Sequence, residues 1–198
     1  REWKYARTSA AQNWVFTKTT VKEEETKNTV FSQYDPKWGG NTYCNGNPVR
    51  TISTSGCGVV SFVNAIYALN GEYIDPTMLA QYSNSHGHYF YMQGTADTLY
   101  EDFARTNGKF YHFKWDGKIY DMTSLKRHLQ NGGTAVALVP GHYIAIVDYR
   151  EADNSFLVLD SAIYGKRPTT IHGDWINEGT LRSGTMYCSY FHLFSRVK

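Results

Sequence analysis

Cys57 stands between two glycines in Thr54-Ser55-Gly56-Cys57-Gly58-Val59-Val60, where a loop gives way to residues at helical spacing. A thiol at that junction faces the unpaired N–H groups and the positive end of the helix dipole, and both favour thiolate over thiol. A nucleophile of this kind requires a base to take and return its proton. Of the seven histidines, His142 is best placed, because it follows Pro140-Gly141 at the head of an apolar strand and so stands at the rim of a sheet. Its ring in turn requires a partner on the second nitrogen. The next strand-like run, Phe156-Leu157-Val158-Leu159, ends on Asp160. Pairing Tyr149 with Ser155 across the intervening turn sets Asp160 opposite Ile144, one diagonal step from His142. A slip of one residue would send the two groups to opposite faces. Asp148 shares the parity of His142, but at ~3.3 Å per residue it lies about 20 Å along the strand, which leaves Asp160 as the orienting carboxylate.

These side chains depend on the elements that carry them. Val59, Val60, Phe62, Val63, Ile66 and Leu69 recur at helical spacing after Cys57, and Asn70-Gly71 closes that helix, which reads as nearly all buried. Asp75-Pro76 opens a second helix through Tyr82, Ala96 to Arg105 forms a third, and Thr123 to Gln130 a fourth. Strands are expected at Lys109 to Trp115, Thr134 to Val139, His142 to Tyr149, Ser155 to Ser161 and Tyr187 to Phe194. Residues 32–40 and 83–93 read as loops. Helices first and antiparallel strands second is the order of an α+β fold.

Residues 1–30 differ from the rest. Trp3, Tyr5, Trp14 and Phe16 alternate with polar residues as one or two edge strands, and Val21 to Asn28 reads as a solvated loop or linker. The expected organisation is an N-terminal extension or linker over 1–30 and one domain over 31–198.

Four separated blocks then agree with one family. Ser32-Gln33-Tyr34-Asp35-Pro36-Lys37-Trp38, Gly56-Cys57-Gly58, Gly141-His142-Tyr143-Ile144-Ala145-Ile146-Val147 and Leu157-Val158-Leu159-Asp160-Ser161 together resemble papain-like cysteine peptidases of the bacteriocin-leader-processing, double-glycine peptidase-like group, in its stand-alone form. The resemblance implies a papain-like fold, with the nucleophile helix packed on a C-terminal antiparallel sheet. It implies Cys57 as nucleophile, His142 as general base and acid, and Asp160 as its orienting partner. It also implies that Gln33 donates its side-chain amide to an oxyanion hole beside the Cys57 N–H. Val59-Val60 stand where members commonly carry Pro-Thr or similar small residues, and no exporter-like segments accompany the match, so a leader-peptide substrate is not implied.

The expected function is cleavage of a peptide or amide bond through an acyl-enzyme on Cys57, with a peptide or protein as substrate and no metal or organic cofactor. The alternatives are a peptidoglycan amidase or endopeptidase, an inactive peptide- or glycan-binding module, and acyl transfer to an amine. The 198 residues carry a formal charge of +2 with scattered lysines and arginines, which argues against a nucleic-acid groove. No apolar run approaches the ~20 residues of a membrane span. Sixteen tyrosines and five tryptophans suit a secreted or surface protein, and a start at Arg1 reads as a processed form or a piece of a longer chain. Cys44 and Cys188 are available for a disulfide that would leave Cys57 free, but their separation is not fixed by sequence and free thiols are the expectation. His86 and His88 form an HxH pair without further ligands nearby and read as loop polarity. The run His88 to Met92 either lines a substrate groove or packs beneath its loop. The remaining histidines, His112, His128, His172 and His192, read as structural or exposed.

Overall fold

A computed structural model describes residues 5–7, 14–16, 23–44, 50–90, 93–163 and 172–197. It is an α+β structure built on a six-stranded, fully antiparallel sheet. In chain order the elements are β1 (Tyr5–Arg7), β2 (Trp14–Phe16), α1 (Glu23–Asn28), α2 (Ile52–Ser55), α3 (Cys57–Asn70) and α4 (Pro76–Ser85). They continue with β3 (Tyr89–Phe90), β4 (Gly94–Thr95), α5 (Thr98–Asn107), β5 (Phe113–Ile119), α6 (Met122–Gln130), β6 (Thr134–Val139) and β7 (His142–Arg150). The last are β8 (Ser155–Leu159), β9 (His172–Asn177), α7 (Glu178–Leu181) and β10 (Tyr190–Arg196). The large sheet runs β5-β10-β6-β7-β8-β9, so the final strand of the chain inserts between β5 and β6.

Two apolar layers fix the helices to this sheet. One core gathers α3, α4 and α5 against Val136, Ala145, Val147 and Phe194, and the other packs α6 through Leu125 and Leu129 against Ile144, Ile146, Val158 and Phe191. Within α3 every residue from Gly58 to Leu69 is buried, as its all-round apolar pattern requires. Phe62 meets Tyr100, Phe103, Phe113 and Phe194 at centroid distances of 5.2, 5.9, 5.6 and 5.0 Å, tying the helix to α5 and to two strands. Phe62→Ala is expected to lower stability by about 3–5 kcal/mol, read as a fall in the urea midpoint at constant slope.

Several elements depart from the sequence reading. Glu23–Asn28 is a helix, not a loop, because Thr26 is buried against α3 with its hydroxyl 3.4 Å from the Ala68 carbonyl, and Lys27 pairs with Asp148 at 2.7 Å. The strand expected at Lys109 to Trp115 begins only at Phe113, after a turn in which His112 takes φ 54°. Helix α4 reaches Ser85 into the expected 83–93 loop, and Tyr89–Phe90 pairs there with Gly94–Thr95. The third helix runs two residues later than expected, over Thr98–Asn107, and the last strand spans Tyr190–Arg196. Strand β9 and the short α2 had no distinct pattern. Much of the expected 1–30 extension, together with Tyr91, Met92 and the side chain of His172, lies outside the described residues. Among the described residues no helix is long and apolar enough to cross a membrane.

Candidate active site

Helix α3 opens on Cys57 with Gly56 as its N-cap. The short α2 abuts it so closely that a Cβ on Gly56 would fall 2.6 Å from the Ile52 carbonyl oxygen. On the other side a Cβ on Gly58 would sit 2.6 Å from that of Thr95. Both glycines therefore serve close approach, and together they press the thiol into a fixed corner. The Tyr100 hydroxyl donates to the Gly58 carbonyl at 3.3 Å and holds α5 to the same turn.

Cys57 is partly exposed, and His142 is the neighbour whose ring acts on its thiol. The imidazole Nε2 lies 2.6 Å from Asp160 Oδ1, so Nδ1 is the nitrogen left for the thiol. Asp160 is fully buried, and its Oδ1 also accepts from the Ala162 N–H at 2.8 Å. Burial by itself pushes the Cys57 thiol up, but the hydrogen bond and charge of His142, with backbone contacts from Tyr143 and Gly58, outweigh it and the net shift is downward. Burial likewise lowers His142, yet its hydrogen bonds to Asp160 and Cys57 raise it to about 9. Both directions favour a thiolate–imidazolium pair near neutral pH.

The register that brings His142 to Asp160 is not continuous along the hairpin. At the turn Arg150 faces Ser155 and Tyr149 faces Phe156, one residue away from the expected pairing of Tyr149 with Ser155. A β-bulge between Ile146 and Asp148 absorbs the slip, so that Ile146 faces Val158 and Ala145 faces Leu159. That is the register expected at the site end. The turn itself is a 3₁₀ segment, Glu151–Asp153, closed by Asn154 in the left-handed region.

Gln33 is buried and held at several points. Its N–H donates to the Ser161 carbonyl at 2.7 Å, its Nε2 donates to the Ser53 carbonyl at 2.7 Å, and its Oε1 accepts from the Ser161 hydroxyl at 3.4 Å. One amide proton remains for a further acceptor. Two residues before Gln33, the Phe31 N–H donates to fully buried Asn64 on α3 at 2.7 Å and the Phe31 carbonyl accepts from it at 3.0 Å, so the helix that opens on Cys57 also fixes the stretch of chain leading to Gln33. Ser61, one turn after Cys57, donates to the Tyr143 carbonyl at 2.8 Å beside the Ser161 hydroxyl. Ser61, Asn64 and Ser161 were not among the sequence candidates. Their signal was a polar residue inside an apolar run, which a buried element retains only with hydrogen-bond partners.

The structure thus joins His142 directly to Asp160, sets Cys57 beside that pair and ties Gln33 to Ser161, the residue after Asp160. Asp148 is taken up by Lys27. None of the three cysteines is in a disulfide; burial pushes the Cys188 thiol up to about 12, opposite to the shift at Cys57. Beside the pairs of His112 with Glu72 and His192 with Asp97, His88 makes another histidine–carboxylate pair, its Nε2 3.0 Å from Asp102 and its Nδ1 2.9 Å from the Thr98 hydroxyl. Both of its nitrogens are engaged, so this pair has none left for a nucleophile. No family model matches the chain, and no curated protein matches it.

Proposed function

We propose that the protein is a thiol hydrolase of the papain-like class that cleaves a peptide or amide bond through an acyl-enzyme on Cys57. The observation that carries this reading is a helix-N-terminal thiol set beside His142, whose other ring nitrogen is bonded to a buried carboxylate. The thiolate attacks the carbonyl carbon, and the Cys57 N–H with the remaining amide proton of Gln33 receives the developing oxyanion. His142 then gives its proton to the leaving amine and, in the second half, takes one from water, which releases the acid and restores the thiolate. Asp160 keeps Nε2 protonated and the ring aimed at sulfur throughout.

The test is to alkylate the protein below neutral pH and, in parallel, to incubate it with a mixed peptide library and with purified peptidoglycan, reading cleaved bonds by mass spectrometry. Cys57 labelling and cleavage of library peptides are expected. Cleavage of wall material alone would move the substrate to peptidoglycan, and a reactive thiol without cleavage of either would replace the hydrolase by a binding module. Gln33→Ala is expected to lower kcat by about 10²–10³-fold while the pH dependence of Cys57 alkylation stays where it was, since the amide acts on the oxyanion and not on the thiolate.

A further inference from the structure

On the sheet face away from α3 lies a cavity of about 250 Å³. Its floor is apolar, formed by Met122, Cys188 and Phe191, all buried members of the core around α6. Its rim carries Tyr120 and Tyr187, which are 71% and 52% exposed, large aromatic side chains left in water at the mouth of one hollow. The wall is polar and comes from Asp121, Thr123, Glu178 and Arg182.

The hydrogen-bond inventory of that wall selects a ligand chemistry. Glu178 is spent on its neighbours: Lys126 and Asn154 hold one oxygen, each at 2.7 Å, and Arg182 the other at 3.3 Å. Asp121 caps α6 by accepting from the Ser124 N–H at 2.8 Å, where its charge faces the helix dipole. The acids are thus answered within the protein, which leaves little net charge to attract a free cation or anion. Unspent are the tyrosine and threonine hydroxyls and the other guanidinium N–H groups of Arg182, donors and acceptors interleaved along one wall. A neutral ring with hydroxyls on its edge and C–H groups on its face matches this: the edge meets the polar wall, the face meets tyrosine and the apolar floor. The volume falls below that of drug-sized pockets and suits one ring.

We infer that this cavity binds a single sugar ring of a glycan, on the side of the sheet opposite Cys57. The site is independent of the thiol chemistry, so either reading stands if the other fails.

The test is a titration of ¹⁵N-labelled protein with methyl β-glucopyranoside, methyl β-galactopyranoside and N-acetylglucosamine, with tetramethylammonium chloride and sodium phosphate as charged controls. At least one sugar is expected to give saturable amide shifts over residues 120–123 and 178–191, with a dissociation constant in the millimolar range of a one-ring ligand. Tyr187→Ala is expected to weaken it by about tenfold and Tyr187→Phe by less, with Cys57 alkylation unchanged in both. The inference is overturned by the absence of saturation with all three sugars, by saturation with a charged control alone, or by shifts that map elsewhere. The wild-type titration decides this even where a variant fails to fold.

Discussion

Alanine at position 57 is expected to lower turnover by at least about 10⁴-fold, because the covalent route is lost and only binding and oxyanion contacts remain to assist water. The fold is expected to persist: Cys57 is the first, partly exposed residue of α3, where alanine is a good helix former, and the core of that helix begins at Val59. Equal urea midpoints with and without the sulfur, beside complete loss of cleavage, is the predicted pair of results. Retained cleavage would remove the mechanism.

The wild-type protein, if it works as proposed, is expected to separate two pH dependences that a simple exposed thiol would not. As pH falls through the lowered thiol pKa, Cys57 regains its proton and both alkylation and turnover decline. As pH rises through about 9, His142 loses the proton that the proposed mechanism gives to the leaving amine. Turnover then falls while alkylation persists, because the thiolate remains. Alkylation and cleavage measured on one buffer series would therefore diverge only on the alkaline side.

How far this site was legible follows from which contacts are local in sequence. The helix start at Cys57 is written in two adjacent glycines, and their reason is close packing against Ile52 and Thr95. The hairpin from His142 to Asp160 is nearly local too, and its periodicity carries the register at the His142 end while the β-bulge after Ile146 stays invisible, because alternating apolar residues look the same on either side of it. Gln33 could be placed only by resemblance. Its anchors, Ser53, Ser161 and, through Phe31, Asn64, come from three different elements, and periodicity within one element says nothing about such convergence. Helix α1 escapes the sequence reading for the opposite reason: its charge run reads as solvated, although buried Thr26 and the Lys27–Asp148 pair dock it. Strand β9, exposed on much of its length at the sheet edge, lacks the apolar alternation that revealed its neighbours.

Asp160 separates hydrogen bonding from charge in the orientation of His142, and two substitutions there are expected to differ. Asn in its place keeps an oxygen that accepts from Nε2, so the tautomer and ring position survive, but the carboxylate that helps raise His142 is gone. The alkaline limb of turnover should then move below its wild-type position near 9, with kcat at neutral pH reduced by about tenfold, as a neutral hydrogen bond replaces a charge-assisted one. Asp160→Ala removes both the charge and the acceptor within a fully buried site, leaving the Nε2 proton unpaired and the imidazole free to turn from sulfur. Turnover is expected to fall by about 10²–10⁴-fold, and Cys57 alkylation should shift to higher pH, since an imidazole no longer held as the cation no longer stabilises the thiolate. Equal effects of the two substitutions would mean that Asp160 acts through charge alone, whereas an unmoved alkaline limb in the Asn variant would mean that a group other than His142 supplies the proton to the leaving amine.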